Sequence, residues 1–497
     1  MKSHYFTTKL VKMGRWALLP ADCENWMGQE TTDYFQKLFG FGKGLLVVCT
    51  LTDGYAHMYV PSVLIEKLYA FVHNTNARDP KKLEKLLTVF YPFKILARKV
   101  FSEKQNNLKK SSTRELIKLY RKNRNWVHRA TVYDQFGIYT EDYWNPVMEK
   151  ILVKTCGLEK DSPEYFRVLF ALTKPEHIST TLEEKRAVLK EGIAVKKELR
   201  TIATASRALA KRYGWMPVFT YGEPWDAKHY ESELRDVIKK SLKILKQEYG
   251  ELAEYSARRN REVREIVRRY ALSESELQIF VDFGLALDCR NEAEYLVSYA
   301  GFYLLPIYKE IARRLSVSVK QLRMLYEDEI IAALKGEIDV EKTLRAKGDI
   351  VAWGFDAAMR KRKNFSLKEA RALYDYIEKT VKPVQGGDVS KGVCGSPGRV
   401  QGVARLVASP AENGKVREGD ILVTYATTVD YLSAMKRAAA FVTEVGGLTC
   451  HAAVVAREFG VPCIISLKDA MKTIRDGSRV EVNADAGTIR VVDLVKK

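Results

Sequence analysis

The sequence predicts a multidomain α+β protein, with a large mainly helical N-terminal region followed by a C-terminal β/α domain, and three observations predict it. The chain has 497 residues, more than one ordinary domain holds. From about residue 111, apolar side chains recur at three-to-four spacing behind capping signals, which is the period of amphipathic helices. After residue 391 the pattern changes to short β-branched runs separated by Asp-Gly and Ala-Gly turns.

Residues 1–110 read as a small mixed α/β subdomain. Arg15 to Pro20 and Gly44 to Leu51 have the composition of short strands, Asp53-Gly54 of a turn before a strand from Tyr55 to Val60, and Pro61 opens a helix. No G-x-x-x-x-G-K-[ST] loop or glycine-rich hairpin marks a nucleotide site here.

Residues 111–380 read as a helical domain that could bind a substrate. Ser112-Thr113-Arg114-Glu115 is a capping box, and its helix is expected to run through Trp126 and His128 towards Phe136-Gly137. Thr180-Thr181-Leu182-Glu183 is a second box, predicting one helix as far as Gly214. A longer amphipathic segment is expected from Glu231 to Tyr270, and Ser273-Glu274-Ser275-Glu276 opens the next helix. Long helices with short connections suggest a bundle. Asp339 to Lys379, with a box at Ser366-Leu367-Lys368-Glu369, is expected to supply its last helices. The densest cluster of aromatic and polar side chains lies between His128 and Trp144. His128, Arg129, Tyr133, Tyr143 and Trp144 are the candidate pocket residues, with plain core packing as the alternative reading.

Residues 381–391 carry Pro, Gly and small polar residues and read as a linker. The segment 392–497 then alternates strands at Val400 to Ala408, Gly419 to Thr424 and Ala440 to Glu444 with a helix from Thr428 to Lys436. Three more strands follow at Cys463 to Ser466, Ser478 to Val482 and Thr488 to Val492.

Within this domain Gly446 and Gly447 permit a tight loop leading straight into a helix that starts at His451 and ends at Gly460 and Pro462. A first-turn histidine sits among unpaired N–H groups at the positive end of the helix dipole. That setting favours the neutral imidazole and welcomes an attached anion. Thr449 and Cys450 flank it, and Arg457 lies within reach of a phosphate or faces solvent. Read alone, such a histidine is more often a cap or a core residue.

The whole string from Gly446 to Pro462 resembles the phosphohistidine motif of the PEP-utilising enzymes, which include phosphoenolpyruvate synthase, pyruvate phosphate dikinase and rifampin phosphotransferase. The resemblance implies a swivelling domain over 392–497 in which His451 carries a phosphoryl group from ATP or phosphoenolpyruvate, with Mg²⁺ accompanying the donor. Gly446, Gly447, Thr449 and Cys450 would form the phosphate loop, with Arg457 as a possible phosphate contact. A weaker likeness covers roughly 230 to 380. Thr427-Thr428-Val429-Asp430 stands where the family usually has a proline. The sequence shows neither an ATP-grasp domain nor a pyruvate-binding barrel, so the implied donor is an ATP-grasp protein in trans, and the implied acceptor a small molecule held by the helical region.

The formal charge is +20, of which +17 falls on the first 391 residues. Such an excess attracts phosphates, whether of nucleotide, nucleic acid or an acidic partner. The absence of RNP, KH, zinc-finger or helix-turn-helix patterns disfavours nucleic acid. Seven scattered cysteines without a C-x-x-C pair indicate neither a disulfide framework nor a zinc site. No apolar run long enough to span a bilayer and no opening signal are found, so a cytoplasmic location is expected. Two other functions stay open: a phosphohistidine relay without acceptor chemistry, and a basic RNA-associated scaffold.

Overall fold

The structure is a computed structural model that describes residues 10–16, 47–52, 55–78, 80–102, 108–220, 223–347, 351–356, 361–380 and 391–493. It bears out the expected class, a large helical region followed by a strand-rich C-terminal domain. The chain groups into two compact units, Met1–Thr140 with Tyr299–Gln385 and Glu141–Ser298 with Gly386–Lys497. The expected linker lies outside the described residues except for Lys391, as do the Asp53-Gly54 turn and residues 17–20 of the first expected strand.

The first unit holds an antiparallel sheet of order β1-β3-β2-β4-β5, formed by β1 Leu10–Trp16, β2 Val47–Thr52, β3 Tyr55–Pro61, β4 Val351–Asp356 and β5 Lys361–Asn364. Strands β4 and β5 correct the expectation of helices throughout 339–379. The apolar run Val351-Ala352-Trp353 favours a strand, and it pairs with β2 in the register Leu51↔Val351 to Val47↔Phe355. An expected division at residue 110 is therefore redrawn, because residues beyond 350 complete the sheet that the first 61 begin.

The helices differ from expectation mainly where a single cap residue interrupts an apolar period. Helix Thr113–Lys154 runs unbroken through Gly137 and Pro146, behind the expected Ser112/Glu115 box. The next box shifts by one residue, with Ser179 rather than Thr180 accepting from the Leu182 N–H. The helix expected from Thr180 to Gly214 is two, Thr180–Lys196 and Ile202–Tyr213, because Thr201 and Thr204 cap a fresh start. Likewise Ser241 restarts the chain as Leu242–Ala253 between Ala227–Val237 and Tyr255–Tyr270. Glu274–Arg314 is a 41-residue helix.

In the second unit the seven-stranded sheet has the order β12-β11-β7-β8-β9-β10-β6. It comprises β6 Val393–Ser396, β7 Arg399–Leu406, β8 Ile421–Thr424, β9 Ala440–Thr443, β10 Cys463–Ile465, β11 Arg479–Asn483 and β12 Thr488–Asp493. Strands β7 to β10 are parallel, and antiparallel strands flank them. Ala404, Ile421, Val423, Ala440, Val442, Ile464, Val480 and Val482 form the buried core. Burying each of these valine and isoleucine side chains contributes about 1.5–3 kcal/mol. The connection after β9 delivers the glycine loop and the His451 helix, as parallel α/β units place their functional loops beyond the carboxyl ends of strands.

Candidate functional site

Gly446 adopts φ 137°, a region open to glycine, and a Cβ there would lie 2.7 Å from the Cys450 sulfur. The tight turn lets Cys450, in extended conformation, precede helix His451–Phe459, and Gly460 closes that helix at φ 68°. His451 is only 4% exposed. Its Nδ1 lies 3.0 Å from the Thr427 hydroxyl, supplied by the connection after β8. Its Nε2 is buried and, among the described residues, has no hydrogen-bond partner.

Burial, and secondarily the positive charge of Arg290, push the His451 imidazole down to about 3. The ring is thus neutral over the physiological range, and its surroundings are polar and charged as well as apolar. Because the folded value is depressed, the site's stability is intact above the ordinary value of 6.5 and is lost as pH falls towards about 3. NMR of isotope-labelled histidine should show no His451 titration between about pH 8 and pH 4, where a free imidazole passes its midpoint near 6.5.

The loop ahead of the ring is held by the helices of the same unit. Glu141, at the start of this unit's share of helix Thr113–Lys154, accepts the Thr449 N–H at 3.1 Å on Oε1 and the Thr449 hydroxyl on Oε2. Arg290, on helix Glu274–Arg314, donates to the Thr449 carbonyl at 2.9 Å and to its hydroxyl. Gly447 allows this approach, since a Cβ there would fall 1.9 Å from Glu141 Oε1. Gly447→Ala should therefore displace the Glu141 carboxylate and cost about 1–3 kcal/mol by overpacking, read as a lowered thermal midpoint.

Arg457 is held by backbone carbonyls. It donates to the carbonyls of Gly395 at 3.0 Å and Leu448 at 2.8 Å and lies over the Phe170 ring, so it fixes the loop's shape. Cys450 caps the helix without a side-chain hydrogen bond, and burial pushes its thiol up. Cys156, Cys289, Cys394, Cys450 and Cys463 are free, and among the described residues no group of three His, Cys, Asp or Glu is placed to hold a metal ion.

Two further buried polar contacts join residues 386–497 to helices of this unit. Lys436 lies 2.7 Å from Glu184 and 2.9 Å from Glu233, over the face of Trp225. Glu458, pushed up to about 7 by burial, has Ser179 and Thr181 as hydroxyl neighbours.

The five candidate pocket residues divide between the two units. His128 lies buried 3.8 Å from Glu327, Arg129 stacks on Phe93 and Trp126, and Tyr133 packs on Phe90, all in the first unit. Tyr143 and Trp144 belong to the second, where Trp144 is fully buried near Phe283. A cleft of about 520 Å³ in the first unit is lined instead by residues such as Tyr326, Glu329, Lys342 and Lys347. The sequence reading missed Arg290 and Lys436 altogether. It passed over Glu141 inside the aromatic cluster and noted Thr427 only as a departure from a motif.

Comparison with known proteins agrees with this geometry. Residues 416–487 match the family described as "PEP-utilising enzyme, mobile domain". The chain is 45% identical over 120 residues to a probable phosphoenolpyruvate synthase of Archaeoglobus fulgidus, covering 24% of this chain and 16% of the relative. It is 34% identical over 197 residues to the phosphoenolpyruvate synthase of Pyrococcus furiosus, covering 38% and 24%. It is 44% identical over 111 residues to an uncharacterized protein of Mycobacterium bovis, covering 22% and 13%. The chain thus spans between an eighth and a quarter of the length of these curated relatives. The Pyrococcus alignment is longer than the whole of 392–497, so its likeness reaches into the preceding helices. Among the described residues no helix is long and apolar enough to cross a membrane. A glycine loop and a neutral helix-start histidine thus fall in the segment, residues 416–487, that matches the mobile domain of the PEP-utilising enzymes.

Proposed function

We propose that this chain is a phosphotransferase component in which His451 is transiently phosphorylated on Nε2. The observation that carries the reading is the asymmetry of the ring, with Nδ1 anchored on Thr427 and Nε2 unpartnered at a helix start. With Nδ1–H donating to the Thr427 hydroxyl, the lone pair resides on Nε2, the tautomer a nucleophile needs. The pair attacks the donor phosphorus, the Nε2–P bond forms, and the donor's P–O bond breaks with its electrons leaving on oxygen. A second attack, by the acceptor, regenerates the free imidazole.

In the arrangement described, His451 is enclosed, so charging requires residues 386–497 to leave the helices that cover the ring. The donor is an ATP-grasp nucleotide site outside these residues, and the acceptor is a small molecule presented by the helical region. Magnesium would arrive with the donor phosphates.

The test is incubation of the purified chain with radiolabelled ATP, with labelled phosphoenolpyruvate, and with ATP plus an ATP-grasp protein. Acid-labile, base-stable label is expected from ATP only when the ATP-grasp protein is present. Label from ATP by the chain alone would overturn the split arrangement, and none under any condition would overturn the carrier.

A further inference from the structure

The loop that precedes the carrier histidine already holds an anion, and that anion belongs to the protein. Both oxygens of Glu141 are engaged by Thr449, one by its N–H at 3.1 Å and the other by its hydroxyl. The Arg290 guanidinium approaches Glu141 Oε2 at 3.9 Å while bonding the same threonine. Glu141 and Arg290 are 12% and 13% exposed, so the contact is sheltered from solvent. A backbone N–H, a hydroxyl and a guanidinium facing two oxygens is the donor set by which proteins hold phosphate as readily as carboxylate. The loop is only two residues from His451, whose imidazole feels the Arg290 charge. Glu141 and Arg290 come from helices, whereas Thr449 travels with residues 386–497.

We propose that the Thr449 N–H and hydroxyl, together with Arg290, form an oxyanion site for the phosphoryl group, and that Glu141 is its built-in occupant, displaced when a phosphoryl group arrives. The assignment rests on the carrier reading of His451. Two anions cannot share this donor set, since like charges a few ångströms apart in a sheltered site repel. Glu141 therefore favours docking of the uncharged carrier, and the charged carrier must push it aside. Gly447 is part of the same arrangement, because only a residue without Cβ leaves Glu141 room.

The test uses the full-length chain and inorganic phosphate as probe, with binding read from the phosphate dependence of the thermal midpoint. Glu141→Ala should bind phosphate at least roughly tenfold more tightly than wild type, and adding Arg290→Met should abolish the gain. Glu141→Gln keeps the side chain's shape and should move in the same direction if the alanine variant folds poorly. Equal binding by wild type and both Glu141 variants, or a gain that survives Arg290→Met, would overturn the site. Chemical phosphorylation with phosphoramidate reads the carrier reading separately in the same preparations. A labelled His451 without the phosphate gain sinks only the oxyanion site, and a phosphate gain without label sinks only the carrier.

Discussion

Replacing His451 with asparagine is expected to abolish acid-labile phosphoryl incorporation, at least about a hundredfold below wild type, while leaving the fold in place. Asparagine retains a polar group that can reach Thr427 but has no nucleophilic nitrogen, so the loss reports chemistry rather than collapse. Its cost is confined to one buried hydrogen bond, about 0.5–1.5 kcal/mol. The readout is label that is lost in acid and kept in base, a property that separates phosphohistidine from hydroxyl esters. Retained label in His451→Asn, or label that survives acid, would show that another residue takes the phosphoryl group. Thr427→Val should give an intermediate result. The ring stays, but nothing then fixes the tautomer with the lone pair on Nε2, and incorporation slows without vanishing.

The site was legible where its determinants are local. Gly446 with its positive φ, the helix start at His451 and the left-handed Gly460 before Pro462 are all short-range backbone requirements that the residue types announce. The seven-stranded sheet was legible for the same reason: β7 to β12 are short apolar runs between turns, and only β6 was overlooked, its four residues diluted by Gly395. What the sequence hid is long-range. Arg290 and Glu141 reach Thr449 across 159 and 308 positions, and no periodicity encodes such a meeting. Arg457 had two open readings because its spacing from His451 suits either. Its capture by the Gly395 and Leu448 carbonyls depends on how β6 returns beside the loop. In the helical region, apolar spacing persisted across Thr201 and Ser241 while the chain broke there. A side-chain cap stabilises a new helix start by about 1 kcal/mol, enough to divide a segment whose apolar stripe continues. Strand β4, with β5 paired to it, was read as helix because a strand is stabilised by its neighbours, and the neighbour of β4 on its other side, β2, lies three hundred residues earlier.

Lys436→Met should produce the largest stability change in the second unit. Lys436 is the cation for Glu184, whose side chain is fully buried, and for Glu233, which is partly exposed. Methionine keeps the stem's contact with Trp225 but strands the Glu184 carboxylate, and removing one member of a buried pair costs about 3–5 kcal/mol. For a unit of this size the thermal midpoint should fall by roughly 10 °C. The unit has one relief open to it, separation of residues 386–497 from the helices carrying Glu184, so the same variant should expose the His451 loop to proteolysis below its melting range. Glu184→Gln in the Lys436→Met background should recover most of the loss, since a neutral amide beside a thioether strands no charge. The deficit should also depend on pH in a definite direction. Burial pushes Glu184 up to about 7 even beside its lysine, so without the lysine its folded value lies higher still. A carboxyl raised above its unfolded value of about 4.5 contributes stability at low pH that is lost as pH rises through the folded value. The Lys436→Met deficit should therefore be largest at alkaline pH, above the variant's raised folded value, and shrink as the pH falls from there towards about 7. A deficit independent of pH, or one that Glu184→Gln leaves untouched, would mean that the lysine acts through packing on Trp225 and not through charge.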